Sequence, residues 1–193
     1  LKEDINISHI PVILLTARDD RQSQISGYKN GADGYLSKPF EVEMLMELIR
    51  NRLKNREYTK KRYLNAGLIP TPEESTISLT DETFLIKLNS IIQENIENSN
   101  LGIQFICQEV GLGRSSLYNK LKALTGMGAN EYISKLRIEK AITLISGTDM
   151  PFSEIAEKTG FTTPSYFSTA FKQYTGETPS QYKERKKKGL AGK

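Results

Sequence analysis

Gly160-Phe161-Thr162-Thr163-Pro164-Ser165-Tyr166-Phe167, continuing to Phe171-Lys172-Gln173-Tyr174-Thr175-Gly176, is the stretch on which the reading of this chain turns. Ser153 to Thr159 before it has the length of a short helix, Gly160 to Thr162 reads as a turn, and Thr163 to Tyr174 reads as a second helix closed by Thr175-Gly176. About fifty residues earlier the same plan is present. Ile103 to Val110 is a short helix, Gly111-Leu112-Gly113 a tight turn, and Arg114 to Leu124 a second helix closed by Thr125-Gly126. Between the two copies, Asn130 to Ile145 forms one helix with Ile138, Ala141, Ile142 and Ile145 on its inner face. The spacing therefore predicts two helix-turn-helix units joined by a central helix.

The second helix of each unit divides into two faces. Leu117, Leu121 and Leu124 lie inward in the first, with Ser115, Tyr118, Asn119 and Lys122 outward. In the second, Phe167, Ala170, Phe171 and Tyr174 lie inward, with Ser165, Ser168, Thr169 and Lys172 outward. Short polar side chains let such a helix approach a major groove closely and hydrogen-bond base edges, while lysines and helix N-termini hold phosphates. Candidate base contacts are thus Ser115, Tyr118, Asn119, Ser165, Ser168 and Thr169. Candidate phosphate contacts are Arg114, Ser116, Lys120, Lys122 and Lys172. A single motif of this kind fits equally an αα-hairpin whose polar face meets water; two copies with matching turns on a basic segment favour double-stranded DNA. A central helix of about 16 residues spans ~24 Å, which with its flanking units approaches one duplex turn, so the two helices are expected to read successive major grooves.

Charge supports this placement. The chain has 193 residues and a net charge of +4, but residues 1–51 carry −2 and residues 102–193 carry +6. A basic segment beside a mildly acidic one fits a polyanion-binding head on a regulatory partner. Lys183, Arg185, Lys186, Lys187 and Lys188 supply part of the excess, so charge alone leaves a solvated basic tail open. One cysteine (Cys107) and one histidine (His9) exclude a disulfide framework and the multi-cysteine or multi-histidine zinc sites. Cys107 reads as a small buried apolar residue and His9 as structural. No nucleophile–base pair or phosphate-binding glycine loop is present, so no catalytic residue, metal, cofactor or small-molecule substrate is expected, and the chain reads as no enzyme. The longest apolar run, Ile10 to Leu15, is too short to cross a bilayer, and a cytoplasmic location is expected.

At the strings Ser116-Leu117-Tyr118-Asn119-Lys120-Leu121-Lys122, Thr125-Gly126, Glu131-Tyr132-Ile133, Leu136-Arg137, Glu154-Ile155-Ala156 and Gly160 to Phe167, followed by Gly176 and Thr178 to Tyr182, the chain resembles the AraC-type DNA-binding domain. The resemblance covers residues 84–185. It implies that the first reading helix makes most base contacts, through Ser115, Tyr118 and Asn119. Members of that family often carry Arg where Asn119 stands; Asn favours adenine over the guanine that Arg reads. The small hydroxyls of the second helix imply weaker specificity there.

The N-terminal part reads differently. Ile10-Pro11-Val12-Ile13-Leu14-Leu15 is a continuous apolar run, the mark of a parallel strand covered on both faces. Asp20 to Asn30 is a weak helix containing Gly27, and Tyr35-Leu36 is a short strand. Val42, Leu45, Met46, Ile49 and Leu53 then lie on one face of a helix. With Thr16 closing the first strand, Gly31-Ala32-Asp33-Gly34-Tyr35-Leu36, and Lys38-Pro39-Phe40, this segment is similar to the C-terminal half of a response-regulator receiver. The resemblance implies that Thr16 and Lys38 ligate a phosphoryl group, that Tyr35 is a switch residue, and that the Lys38–Pro39 bond is cis. None of Asp4, Asp19, Asp20, Asp33, Asp81 and Asp149 follows an apolar strand; they sit in polar or turn contexts. The phosphoacceptor and its Mg²⁺ site are therefore expected upstream of Leu1, and this chain is expected not to accept a phosphoryl group. The start at Leu1 is in keeping with a fragment.

The expected fold is accordingly an α/β half-receiver (β-α-β-α, a flavodoxin-like fragment) at 1–53 and a linker at 54–79. An all-α domain follows at 80–188, with helix-turn-helix units at about 103–125 and 153–175 and a connecting helix at about 130–146, then a tail at 189–193. The function this implies is a sequence-specific transcription regulator at the output end of a two-component phosphorelay. The parent resembles a hybrid histidine kinase, with kinase and sensor regions upstream and an anchor in the inner membrane, more than a free response regulator. An unpaired edge on the first strand predicts a homodimer through the receiver remnant. The competing reading is a protein-interaction or RNA-binding module whose remnant serves only dimerisation.

Overall fold

The computed structural model describes residues 2–17, 20–66 and 79–191. Its elements run β1 (Ile13–Thr16), α1 (Arg21–Lys29), β2 (Gly34–Ser37), α2 (Val42–Ala66), α3 (Leu79–Glu94), α4 (Ile103–Val110), α5 (Arg114–Thr125), α6 (Ala129–Gly147), α7 (Phe152–Lys158), α8 (Pro164–Thr175) and α9 (Pro179–Ala191). The chain divides into two compact units, residues 1–86 with 115–126 and residues 87–114 with 127–193.

In the first unit, β1 and β2 pair in parallel, with Ile13 opposite Gly34 and Thr16 opposite Ser37. Asp20 begins α1 by accepting the Ser23 N–H at 2.8 Å, the side-chain cap that satisfies an orphan amide. Asp33, ahead of β2, accepts the Val12 N–H at 2.7 Å and pairs with the Lys2 ammonium at 2.7 Å. The Lys38–Pro39 bond is cis.

Cover over this sheet is thin. The run Ile10–Leu15 predicts a strand buried on both faces, yet Leu14 and Leu15 are 37% and 44% exposed, and of the sheet's apolar side chains only Leu36 is buried. Two strands and two helices are too few to enclose both faces. Along α2, Val42, Met46 and Leu53 are exposed for the same reason. The helix also runs on to Ala66, so residues 54–66, read from the sequence as linker, are helical. The remainder of that linker, with Gly67, Pro70, Pro72 and Glu73 to Thr76, lies outside the described residues.

The second unit is helical throughout its described residues. Its core gathers Ile138, Ala141 and Ile145 of α6, Ile155 and Ala156 of α7, Phe167 and Phe171 of α8, Tyr182 of α9, and Phe161 from the turn. The aromatic rings follow one another at 5.4 Å (Phe161–Phe167), 5.7 Å (Phe167–Phe171) and 5.6 Å (Phe171–Tyr182), tilted or edge-on, the arrangement favoured by ring quadrupoles. The turn between α7 and α8 is fixed by Gly160 at φ +72°, where a Cβ would come within 2.2 Å of the Ile96 carbonyl oxygen. Arg137 lies beside it, donating to the Asn98 carbonyl at 2.7 Å with its guanidinium 5.9 Å from the Phe161 ring centre. Burial holds its pKa below the usual arginine value.

Candidate nucleic-acid interface

The first helix-turn-helix is set by its glycines. At the end of α4, Gly111 takes φ +73°, and the Leu112 N–H returns to the Cys107 carbonyl at 3.0 Å, the left-handed stop that β-carbon-bearing residues adopt at a cost. The following helix, α5, is anchored by Leu117, Leu121 and Leu124, at 0%, 1% and 6% exposure. Ser115, Tyr118, Asn119 and Lys122 are exposed, as their spacing predicts. Arg114 is exposed at the start of α5, with Gln104 of α4 accepting from its guanidinium at 3.5 Å, and Ser116 is half-buried.

Lys120 departs from expectation. The sequence places it among the phosphate contacts, and it is fully buried. Its position explains this: 117, 120, 121 and 124 follow the i, i+3, i+4, i+7 row of a helix face, so Lys120 shares the leucine side. Its ammonium pairs with Asp81 in the first turn of α3 and donates to the Ser8 hydroxyl oxygen at 2.6 Å, while the Ser8 O–H donates to the same carboxylate at 2.6 Å. The Phe84 ring centre lies 5.1 Å from Nζ. Asp81, read as a polar or turn residue, is thus a buried counter-ion at 3% exposure. Lys120 has no surface left to offer a phosphate.

The second helix of the second helix-turn-helix, α8, is bounded on both sides. Thr163 accepts the Tyr166 N–H at 3.1 Å, Pro164 opens the helix, and Gly176 at φ +83° closes it. Phe167 and Phe171 point into the core. Ser165, Thr169 and Lys172 are exposed and Ser168 half-buried. Ser168, Thr169, Lys172, Gln173 and Thr178 line a shallow surface depression. The Thr169 hydroxyl donates to the Ser165 carbonyl at 3.1 Å, which leaves its lone pairs outward as acceptors. Two further exposed side chains of α8 are missing from the sequence assignment: Gln173, which lines the same depression, and Tyr166, 57% exposed. The signal for both is helical position: 166 and 173 fall between the polar row and the apolar face of α8. Tyr174, assigned inward, is instead 40% exposed at the edge of the helix, where its hydroxyl donates to Glu139 of α6 at 3.1 Å. Burial, then the Glu139 charge and hydrogen bond, push its pKa well above the ordinary phenol value.

Among the α/β elements the parallel register brings Thr16 and Lys38 to the same end of the sheet, where the Lys38 N–H donates to the Thr16 carbonyl at 2.7 Å. Tyr35 is half-buried within β2, 6.5 Å from the Tyr28 ring.

A helix-turn-helix domain family matches residues 106–185. Among known proteins, histidine kinase P4 of Formosa agariphila is 42% identical over 185 residues, 96% of this chain and 13% of that protein. The transcriptional activator RhaR of Salmonella dublin is 34% identical over 102 residues, 53% of this chain and 36% of that protein. This chain therefore spans a small part of either relative. Among solved structures, the C-terminal domain of AraT, a response regulator from Geobacillus stearothermophilus, superposes with a TM-score of 0.51 at 31% identity, over 57% of this chain and 88% of that one.

Proposed function

We propose that residues 106–185, which a helix-turn-helix domain family matches, are an AraC-type DNA-binding part of a transcription regulator, and that this chain is the sequence-specific output end of a two-component phosphorelay. Each reading helix enters a major groove. On α5, Ser115, Tyr118 and Asn119 face base edges while Lys122 and Arg114 hold phosphates; on α8, Ser165, Ser168 and Thr169 face bases while Lys172 holds phosphate. The observation that carries this reading is the repeated pairing of buried apolar anchors (Leu117, Leu121 and Leu124 on α5, Phe167 and Phe171 on α8) with a polar row and one exposed lysine on the opposite face.

The relay link rests on the α/β segment. Its β-α-β-α order, the shared strand end at Thr16 and Lys38, and the match of nearly the whole chain to a protein named as a histidine kinase support a receiver half. In this reading Thr16 and Lys38 hold a phosphoryl group carried by an upstream acceptor, Mg²⁺ belongs with that acceptor, and Tyr35 follows the phosphorylation state. The parent is a hybrid kinase. Its DNA-binding end works in the cytoplasm, and no described helix is long and apolar enough to cross a membrane. The exposed Leu14 and Leu15 on a two-stranded sheet with open edges support self-association through this segment.

Selection of bound duplexes from a random pool, followed by titration at several salt concentrations, tests the DNA reading. An enriched motif, and an affinity for it that falls steeply with salt while staying above that for a scrambled duplex, is the expected result. Equal affinity for all duplexes, or preference for RNA, would overturn it in favour of an interaction module.

A further inference from the structure

Lys120 stands between Asn119 and Leu121 on a reading helix, yet it is fully buried, which is rare for a lysine. Its cluster is buried. The ammonium meets the Asp81 carboxylate and the Ser8 hydroxyl, Ser8 donates to that same carboxylate, and Ser8 and Asp81 are 1% and 3% exposed. Taking a full ion pair out of water gains little over apolar packing of the same volume. What such a cluster supplies is direction: Nζ has its oxygens in one place, so α5 has one rotation about its axis. Neighbouring residues on a helix are about 100° apart, and any turn that withdraws Lys120 swings Tyr118, Asn119 and Lys122 off their face by the same angle.

We propose that Lys120 is a positioning residue for the reading face of α5, and that Ser8 makes this positioning depend on the N-terminal α/β segment. The inference rests on the DNA reading above. Ser8 is tied to the sheet. Lys2 donates to the carbonyls of Ser8 (3.1 Å) and Ile10 (2.7 Å) and pairs with Asp33, which accepts the Val12 N–H just before β1. Displacement of β1, or of the turn ahead of β2, therefore pulls on the segment that supplies Ser8. The contact lies behind the helix. Ser115, Tyr118, Asn119 and Lys122 stay exposed while Ser8 is docked, so the docked state is the one competent to read DNA, and loss of the contact weakens reading instead of unmasking it.

The test uses the full chain and the anisotropy of two labelled duplexes at one salt concentration, the selected sequence and its scrambled form. Ser8→Ala is expected to lower the preference for the selected duplex about fivefold, with affinity for the scrambled duplex, salt slope and helix content unchanged. Ser8→Thr, which keeps the hydroxyl, restores the preference. In a chain carrying Asp81→Leu with Lys120→Met, Ser8→Ala produces no further loss, because its partners are gone. Hydrogen exchange in the DNA-free chain gives a second readout, with faster exchange across 117–121 in Ser8→Ala. An unchanged preference in Ser8→Ala, or an equal further loss when Ser8→Ala is added to the doubly substituted chain, overturns the proposal. Absence of any preferred duplex for the unaltered chain is a different result, since it removes the DNA reading itself.

Discussion

On the DNA reading proposed above, Asn119 is the residue on which discrimination by α5 is expected to depend most. It is exposed, one position from the buried Lys120, and its amide is the group that pairs in bidentate fashion with adenine. Asn119→Ala is expected to cost ~1–3 kcal/mol at one position of the selected duplex and to leave the scrambled duplex unaffected; binding curves against single-base variants of the site check this. Lys172 is expected to behave in the opposite way. Its ammonium carries no base information, so Lys172→Ala weakens all duplexes evenly and lowers the salt slope by about one. Gly160 belongs to folding and not to recognition. Its φ of +72° and the 2.2 Å approach of the Ile96 carbonyl leave no room for a methyl group, and Gly160→Ala is expected to cost at least about 1–3 kcal/mol, measured as a lowered midpoint of chemical unfolding. A variant as stable as the parent would mean that the turn has another conformation within easy reach.

At the scale of elements, what could be read from the sequence depended on what marks an element's limits. The second helix-turn-helix was legible because Gly160 and Gly176 bracket a helix whose apolar residues repeat at helical spacing, and α8 lies within a residue of its expected span. The far half of α2 was not legible, because residues 54–62 are mostly charged or polar and carry no apolar repeat beyond Leu53. Lys120 was misplaced for a different reason. Its charge argues for the surface while its helical position puts it with the leucines, and its counter-ion lies 39 residues away in sequence, beyond any local pattern. The exposed row of α5 was legible throughout, since the three leucines fix its opposite face. Contacts between elements carry a prediction of their own. Tyr174 of α8 donates to Glu139 of α6, which also faces Lys135 at 3.6 Å. In the unfolded chain the phenol ionises near pH ~10; in the fold its pKa is raised. The contribution is thus fully present below about pH 10 and declines above it, as the unfolded chain sheds a proton that the folded chain retains. Tyr174→Phe should therefore be less stable than the parent at neutral pH, and the gap should narrow on going to pH ~11. A constant gap in thermal midpoints across that range would show that the hydroxyl contributes no alkaline dependence.

For the whole molecule, the charge distribution and the duplication together constrain how DNA is engaged. The excess of +6 over residues 102–193 draws the chain to any duplex, whereas the two reading helices are separate elements with separate lysines. A smooth basic surface would protect a duplex as one continuous stretch. Two helices that each enter a major groove protect two separate stretches of the duplex. Hydroxyl-radical footprinting of the selected duplex is therefore expected to give two protected stretches. Lys122→Ala is expected to thin one of them and Lys172→Ala the other, since each lysine sits on only one reading helix. Even thinning of both stretches by either variant would mean that the lysines act through the general field of the chain, and would leave the base rows of α5 and α8 with no fixed place on the DNA.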